Sequence, residues 1–322
     1  MKKKKKETRW QREQKQRKTS QTLKMVKRVA LIIFLILFFG LGWRLLGVFR
    51  DSHWDGRHRL NLVLQVTPIS LVSFDPGSQT INFLIIPDGT YIEAAEGYGP
   101  CRVEKIFSLG ELEGQGRELL AKSLEVYFGL PVDGWLAAEK NWSENEAKNL
   151  LLFLIKETWL KKETSNLSDW DLWRLWLMTN RTRGHKMEII NLAETTVSEE
   201  FTLPDGIQAK KVDEQRVSRV INHLFVDETI RHENLAIGVM NASDQTGLAA
   251  QGEKLIANIG GRLVEVGDWS EEVTGCLIKT TPAAKETYTS QKLAKIFHCQ
   301  IEPELGGGER WDLLIILGKD SW

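Results

Sequence analysis

The chain has 322 residues, a formal net charge of zero and 42% apolar residues. This length accommodates an anchor and two domains of ordinary size. The zero charge averages two opposite segments: residues 1–28 hold 13 Lys or Arg against two Glu, a net charge of +11, and the rest of the chain carries −11. Three cysteines without CxxC spacing exclude a disulfide-rich scaffold and a CxxC zinc site.

The basic tail, residues 1–28, is predicted to be a solvated segment that attracts anionic membrane lipid, at on the order of 1 kcal/mol per basic residue. An arm for nucleic acid is the alternative. Trp10 is the tail's single aromatic residue, and a specific arm needs more aromatic residues or a fold. The expected partner is therefore lipid and not nucleic acid.

Residues 29–49 form an apolar run interrupted by Arg44 alone. As a helix the run spans about 31 Å, which matches the hydrocarbon core of a bilayer. Gly40-Leu41-Gly42 resembles a signal-peptide cleavage site, but the apolar run continues past it, which favours an uncleaved transmembrane helix. The basic tail places the N-terminus in the cytoplasm and the remainder outside the cell membrane. Residues 50–59 are polar and are interpreted as a linker.

Residues 60–228 predict a first α/β domain. Ser70–Phe74 and Ile81–Ile86 read as a β-hairpin, because the Asp75-Pro76-Gly77-Ser78 sequence between them is a turn signal. Helices are predicted over 116–128, 143–156, 168–178 and 212–225, with strands at 60–66 and 187–192. A boundary is expected in the polar stretch 227–233.

Residues 235–320 alternate short strands with helices, which predicts a second, smaller α/β domain. Strands are expected over 235–241, 263–266, 276–279 and 313–317, and helices over 247–259 and 283–297. The polar turn between the first strand and helix directs free N–H groups toward a possible phosphate or carboxylate. It supplies the candidate ligand-binding residues, which are Asn241, Ser243, Thr246 and Gly247; an ordinary capped turn is the alternative.

This second segment resembles the C-terminal domain of LytR-type cell-envelope proteins. The likeness rests on VMNASDQTGLAAQGEKLIANIGGRLVEVGD, AAKETYTSQKLAKIF and DLLIILGKD. In order it includes Asn241, Gly247, Leu248, Ala249, Gly260, Gly318 and Asp320. The resemblance implies an accessory module of the cell envelope without established catalytic residues.

The first segment resembles a degenerate LytR-CpsA-Psr (LCP) domain, whose members transfer a glycopolymer from polyprenyl pyrophosphate to the cell wall. Its hairpin, the Lys105-Ile106 stretch and Gly129-Leu130-Pro131-Val132-Asp133 resemble family motifs. The departures are large. The family's P-R-D-T is here Pro87-Asp88-Gly89-Thr90, and its R-x-D-T is Gln65-Val66-Thr67-Pro68-Ile69, so arginines and a metal-binding aspartate are missing.

These losses weaken the case for catalysis, because a pyrophosphate leaving group needs arginine contacts and a divalent cation. The remaining catalytic candidates are Asp88, Lys105 and Arg102, and Mg²⁺ is expected only if the chain is an active transferase. Otherwise no cofactor is expected. The sequence therefore predicts a membrane-anchored binding or scaffold protein for polyprenyl-linked or wall-glycan ligands, with an active phosphotransferase as the alternative.

Two features leave alternatives open. Trp170, Trp173 and Trp176 form a ridge that suits a polyprenyl tail, a sugar or the bilayer surface, but a tryptophan-packed helix core is the favoured interpretation. Cys276 and Cys299 either pair outside the cell or, as favoured, are small buried hydrophobic residues.

Overall fold

The structure is a computed structural model that describes Trp10, Phe34 and residues 52–195, 198–202, 208–303 and 310–319. The chain divides into two units, residues 1–52 and residues 53–322. In the first unit, the positions of Trp10 and Phe34 are helical. No described helix is both long and apolar enough to span a bilayer, and the predicted span, apart from Phe34, lies outside the described residues.

The second unit begins with a five-stranded mixed sheet, in the order β6-β1-β2-β3-β7. Its strands are β1 (Leu60–Thr67), β2 (Ser70–Asp75), β3 (Thr80–Ile85), β6 (Gly134–Asn141) and β7 (Met187–Asn191). β1, β2 and β3 pair antiparallel, whereas β6 is parallel to β1 and β7 is parallel to β3. The predicted hairpin is confirmed: the Asp75 carboxylate accepts the Gly77 N–H at 2.9 Å and so fixes its turn.

Helices cover both faces of this sheet. They are α1 (Val103–Gly110), α2 (Gly116–Phe128), α3 (Ala147–Leu160) and α4 (Asp169–Arg181). Alternate strand residues point to opposite faces, so Val63 packs in the core under α1 and α2, and Leu62 packs in the core under α3 and α4. Two short hairpins flank the sheet: β4 (Tyr91–Ala94) with β5 (Gly99–Arg102), and β8 (Ser198–Thr202) with β9 (Gln208–Val212).

A second five-stranded sheet follows, in the order β11-β10-β14-β12-β13. Its strands are β10 (Ala236–Asn241), β11 (Arg262–Asp268), β12 (Cys276–Thr280), β13 (Cys299–Glu302) and β14 (Leu313–Leu317). The remaining helices are α5 (Glu214–Leu224), α6 (Glu228–Glu233), α7 (Leu248–Asn258) and α8 (Tyr288–Ile296). The α/β fold class predicted for both segments is confirmed; the domain limits themselves stay predictions.

Cys276 and Cys299 form a disulfide between the neighbouring strands β12 and β13. The two cysteines lie directly opposite one another in the strand register. The favoured interpretation of two unpaired buried thiols is therefore wrong.

Hydrogen bonds and an ion pair join the two sheet regions within the second unit. The Asn258 amide donates to the carbonyls of Phe128 and Gly129, at 2.9 and 3.0 Å. The Lys292 ammonium lies 2.6 Å from the Asp133 carboxylate, and both side chains are largely buried. The polar stretch predicted as a boundary contains the short helix α6, and the boundary itself stays a prediction.

The segment interpreted as a linker is packed from His53 onward. Trp54 is 5% exposed. The buried Asp171 carboxylate, in the first turn of α4, accepts the backbone N–H groups of His53 and Trp54, at 2.9 and 3.2 Å. Arg174, one turn further along, donates to the Trp54 carbonyl. The chain therefore enters the compact unit along α4.

Candidate functional site

The catalytic candidate Asp88 follows β3 beside the start of α1. The Glu104 carboxylate accepts the Gly89 N–H at 3.0 Å, and the Gly89 carbonyl accepts the Lys210 N–H at 2.9 Å. Burial and the neighbouring Glu104 raise the pKa of Asp88. Arg102 lies 4.0 Å from Glu104. The carboxylates of Asp88 and Glu104 lie beside a single arginine, Arg102, whose charge Glu104 partly neutralises. This arrangement is therefore a weak site for an anion.

Lys105 is exposed on α1. Its charge acts on Cys101, whose thiol pKa is raised by burial in spite of that charge. Asp88 and Arg102 thus share Glu104 as a neighbour, but no contact joins Lys105 to Asp88 among the described residues. The three cavities described below have other linings.

The polar turn before α7 is closed by its own side chains. The Asn241 side-chain oxygen accepts both the backbone N–H and the hydroxyl of Ser243, at 3.1 and 2.8 Å. The Asn241 amide donates to the Gln245 carbonyl at 3.1 Å. Gly247 takes a left-handed conformation, with φ +88°, and Thr246 is exposed. A ligand-binding role of this turn stays a prediction.

A polar cavity of about 530 Å³ lies at the end of β1, between the first sheet and its helices. We call it the Arg117 cavity. It is lined by Gln65, Phe107, Arg117, Ala137, Ala138, Glu139, Phe153, Glu157, Lys161 and Thr164. Gln65 of β1 and Ala137 of β6, which are paired in the parallel register, line one side of it, and Phe107 of α1, Arg117 of α2 and Phe153 of α3 line the rest.

Arg117 is the most unusual side chain in this cavity. Its guanidinium carbon lies 4.9 Å from the ring centre of Trp135 and 5.6 Å from that of Phe107. Its Nε atom is buried without a hydrogen-bond partner, and none of the described carboxylates forms an ion pair with it. A buried cationic donor without an acceptor is costly, so this group is well placed to bind an anion.

Gln65 contributes a second unpaired polar atom. Its side-chain oxygen is buried and has no hydrogen-bond partner among the described residues. Position 65 was aligned in the sequence with a family arginine that this chain lacks. The structure places Gln65 in the same cavity as Arg117, which the sequence analysis missed. Arg117 is a lone cation in the first turn of an amphipathic helix, so it resembles an ordinary surface residue.

Two other charged residues of the lining, Lys161 and Glu157, neutralise each other, and Glu139 is the third. Lys161 pairs with Glu157 at 2.6 Å and is 69% exposed. The Lys140 ammonium lies 4.3 Å from the ring centre of Phe153. Aromatic faces beside planar polar groups suit a sugar, and the unpaired guanidinium suits a phosphate. The cavity therefore combines the features needed for a phosphorylated glycan or a related anion.

A second cavity, of about 540 Å³, lies between the two sheet regions and is less suited to an anion. Glu96, Glu118 and Glu125 line it, and its Lys122 already pairs with Glu125 at 3.2 Å. Burial also lowers the pKa of Lys122. No group of three or more His, Cys, Asp or Glu residues with the geometry of a metal site occurs in the described part of the chain.

The tryptophan ridge of α4 is on the surface. Trp173 and Trp176 are 42% and 40% exposed, and Trp170 stacks on Trp173 with ring centres 4.7 Å apart. Leu172 and Leu175 are the residues that α4 buries in the core. The favoured interpretation of the ridge as a helix core is therefore wrong.

Several solved structures of Bacillus subtilis proteins are similar to this chain at low identity. The crystal structure of TagT is 15% identical, with 53% of this chain and 91% of that chain covered and a TM-score of 0.39. A LytR-CPS2A-psr family protein, YwtF (TagT) with bound octaprenyl pyrophosphate lipid, is 17% identical over the same shares, with a TM-score of 0.41. TagV is 11% identical, with 53% and 97% covered and a TM-score of 0.41.

No family model matches the sequence, and no curated protein matches it. TM-scores near 0.4 leave these structural likenesses without weight for the function of this chain. The resemblance to a LytR C-terminal domain also stays a prediction.

Proposed function

We propose that this chain is a membrane-anchored, extracytoplasmic protein of cell-wall assembly that binds a polyprenyl pyrophosphate-linked glycan without transforming it. The Arg117 cavity is the proposed binding site. Its unpaired, partly buried guanidinium between two aromatic rings is the observation that supports the proposal most strongly.

The chemistry of the cavity favours this ligand class. A pyrophosphate oxygen bonded to Arg117 satisfies a buried donor that otherwise has no acceptor. Gln65 has an unpaired carbonyl oxygen that can accept a sugar hydroxyl. Phe107 and Phe153 supply apolar surface for a sugar face or the first isoprene units.

Binding is favoured over transfer because the cavity contains few uncommitted cations. Arg117 is unpaired, whereas Lys161 is neutralised by Glu157. Asp88 and Arg102 line a different region beside Glu104. Stabilising a leaving pyrophosphate takes several positive groups directed at the same oxygens.

Location outside the cell membrane is supported by the sequence and by the disulfide. The +11 tail and the apolar residues 29–49 favour a single-pass helix with a cytoplasmic N-terminus. The Cys276–Cys299 disulfide suits an oxidising, extracytoplasmic environment. Alkaline carbonate should leave the full chain in the membrane pellet, and protease added to intact protoplasts should digest residues beyond 53 and spare the tail.

The binding proposal is tested by calorimetry on the full chain in detergent, with farnesyl pyrophosphate as the probe. Replacing Arg117 by Gln removes a charge-assisted bond of about 1.5–3 kcal/mol, so Kd should rise about tenfold to hundredfold. Arg117→Lys should recover part of the loss. Lys161→Gln is the matched control, because it removes a positive charge that is exposed and already paired; its Kd should change less than about fivefold.

Two results would count against the proposal. One is equal affinity of the wild type and Arg117→Gln for farnesyl pyrophosphate. The other is equal affinity of the wild type for farnesyl pyrophosphate and for farnesol, which lacks the pyrophosphate.

An active transferase is the second candidate, and one observation favours it. Glu139 and Glu157 line the same cavity as Arg117, and Mg²⁺ is commonly held by one or two carboxylates together with substrate phosphates. Mg²⁺-dependent transfer of the glycan phosphate from a polyprenyl pyrophosphate-linked glycan to an acceptor hydroxyl or to water, measured as release of polyprenyl monophosphate and lost in both Glu139→Gln and Arg117→Gln, would establish this candidate and exclude pure binding.

A further inference from the structure

The outer surface of α4 carries two adjacent features that take no part in the proposed ligand site. One is the exposed ridge of Trp173 and Trp176. The other is a cavity of about 370 Å³ that includes Arg57, Arg174 and Arg181 in its lining. We call the ridge and the cavity together the α4 surface.

The arginines of the α4 surface are suited to a phosphate group. The side chains of Arg57 and Arg181 form no ion pair with any carboxylate in the described ranges. The one carboxylate of the lining, Asp55, is engaged by the His58 ring and by two backbone N–H groups. Leu177 and Met178 add apolar surface beside the charges.

Trp173 and the arginines occupy neighbouring faces of one helix, with Trp176 on the far side of Trp173. At 3.6 residues per turn, Arg174 and Arg181 lie about 80–100° around the helix axis from Trp173. The core-facing Leu175 lies about 160° around the axis from Trp173. A partner that presents an apolar layer next to an anionic layer can therefore contact the tryptophans and the arginines at the same time.

The short distance along the chain between the predicted transmembrane helix and α4 indicates that this partner is the membrane. Three residues separate Phe49, the last residue of the predicted transmembrane helix, from His53. Fully extended, the step from Phe49 to His53 spans at most about 14 Å. His53 and Trp54 are hydrogen-bonded to Asp171 in the first turn of α4.

Trp173 and Trp176 follow Asp171 by two and five residues, or about 3 and 8 Å along the helix axis. Tryptophan concentrates at the headgroup level of a bilayer, and arginine binds lipid phosphate. We propose that the α4 surface docks on the membrane that holds the anchor, with the tryptophans in the headgroup region and Arg57 and Arg181 on the phosphates of anionic phospholipids.

This inference rests on the proposed anchor but not on the proposed ligand. Docking would hold the second unit against the bilayer, at the depth where the pyrophosphate of a polyprenyl lipid lies. A tethered domain would otherwise sample many orientations.

The test uses the full chain in nanodiscs whose phospholipids carry bromine high on their acyl chains, since bromine quenches tryptophan on contact. Trp43 in the predicted span gives a constant background. The wild type should be quenched more than Trp173→Phe/Trp176→Phe, whose remaining quenching comes from Trp43 and the other unchanged tryptophans, Trp170 among them. Trp269→Phe, a change of a half-buried residue in the other sheet region, is the matched control and should leave the extra quenching in place.

Varying the charge of the phospholipids tests whether the arginines bind lipid phosphate. Extra quenching should be larger in equimolar phosphatidylcholine and phosphatidylglycerol than in phosphatidylcholine alone, and high salt should reduce the difference. Arg181→Gln should reduce this difference, and Arg57→Gln/Arg181→Gln should reduce it further. Arg219→Gln, an equal loss of charge at an exposed position of α5, should preserve it.

Equal quenching of the wild type and the double variant would overturn the inference, as would quenching that is independent of lipid charge. Circular dichroism checks that each variant is folded. Farnesyl pyrophosphate affinity and carbonate resistance are measured on the same samples, so failure of docking is distinguished from failure of the proposed ligand site or anchor.

Discussion

Replacing Asp171 by Ala should destabilise the second unit far more than its position in an exposed helix turn suggests. The carboxylate is fully buried and accepts four hydrogen bonds: from the N–H groups of His53, Trp54 and Ser168, and from the Ser168 hydroxyl. Ser168 can turn to solvent in the variant, but the two linker N–H groups cannot.

The magnitude follows from those two groups. Each buried donor left without an acceptor costs about 1–3 kcal/mol, so the expected loss in the free energy of unfolding is about 3–5 kcal/mol. The Trp54 side chain, which packs in the same core as Leu172 and Leu175, is expected to loosen with the segment.

Urea denaturation of the full chain, followed by circular dichroism, measures this loss. Asp169→Ala is the matched control. Asp169 occupies the same first turn and interacts equally with the helix dipole, but its ion pair with Lys162 is exposed. The control should lose less than about 1 kcal/mol. Equal losses for the two variants would refute the view that Asp171 holds the entering chain to α4.

Three further predictions concern other parts of the second unit. Reducing the Cys276–Cys299 disulfide, which spans 23 residues, should lower stability by about 3 kcal/mol, measured by denaturation with and without reductant. Lys292→Met should cost about 3 kcal/mol in the same assay, because Asp133 is left as a buried charge without its partner. Asp88→Asn should stabilise the fold at pH 7, because the raised pKa means that the ionised carboxylate is disfavoured in the folded state; the gain should vanish as the pH falls through that pKa, in a series of urea midpoints.

Sequence patterns predicted the elements that are determined locally. The β2–β3 hairpin was predictable because its turn residues and apolar runs coincide. The start of α4 was predictable because Ser168 and Asp171 form a capping box with the expected spacing. Both signals lie within a few residues of the structure that they specify.

Elements that depend on distant partners were not predictable. β6 has a mixed sequence, Gly134–Asn141, and is a strand because it pairs with the buried β1 some seventy residues earlier. α6 was not predicted, because Glu228–Glu233 is short and largely polar. Asp227 accepts the Thr229 N–H at 3.0 Å and so caps this short helix.

The candidate site was hidden for a similar reason. Nothing in the segment GRELLAKSLEVYF distinguishes Arg117 from a solvated helix cation. Its significance comes from Phe107 on another helix and Trp135 on a strand, which pack around it in the fold. The sequence analysis singled out Gln65 from a family resemblance, but it could not show that Arg117 lines the same cavity.

The most direct test of the central claim is a structure of the full chain with farnesyl pyrophosphate bound. We expect pyrophosphate oxygens within hydrogen-bond distance of the Arg117 guanidinium, with the first isoprene units against Phe107 or Phe153. Pyrophosphate bound instead beside Asp88 and Arg102, with the Arg117 cavity empty, would contradict the account.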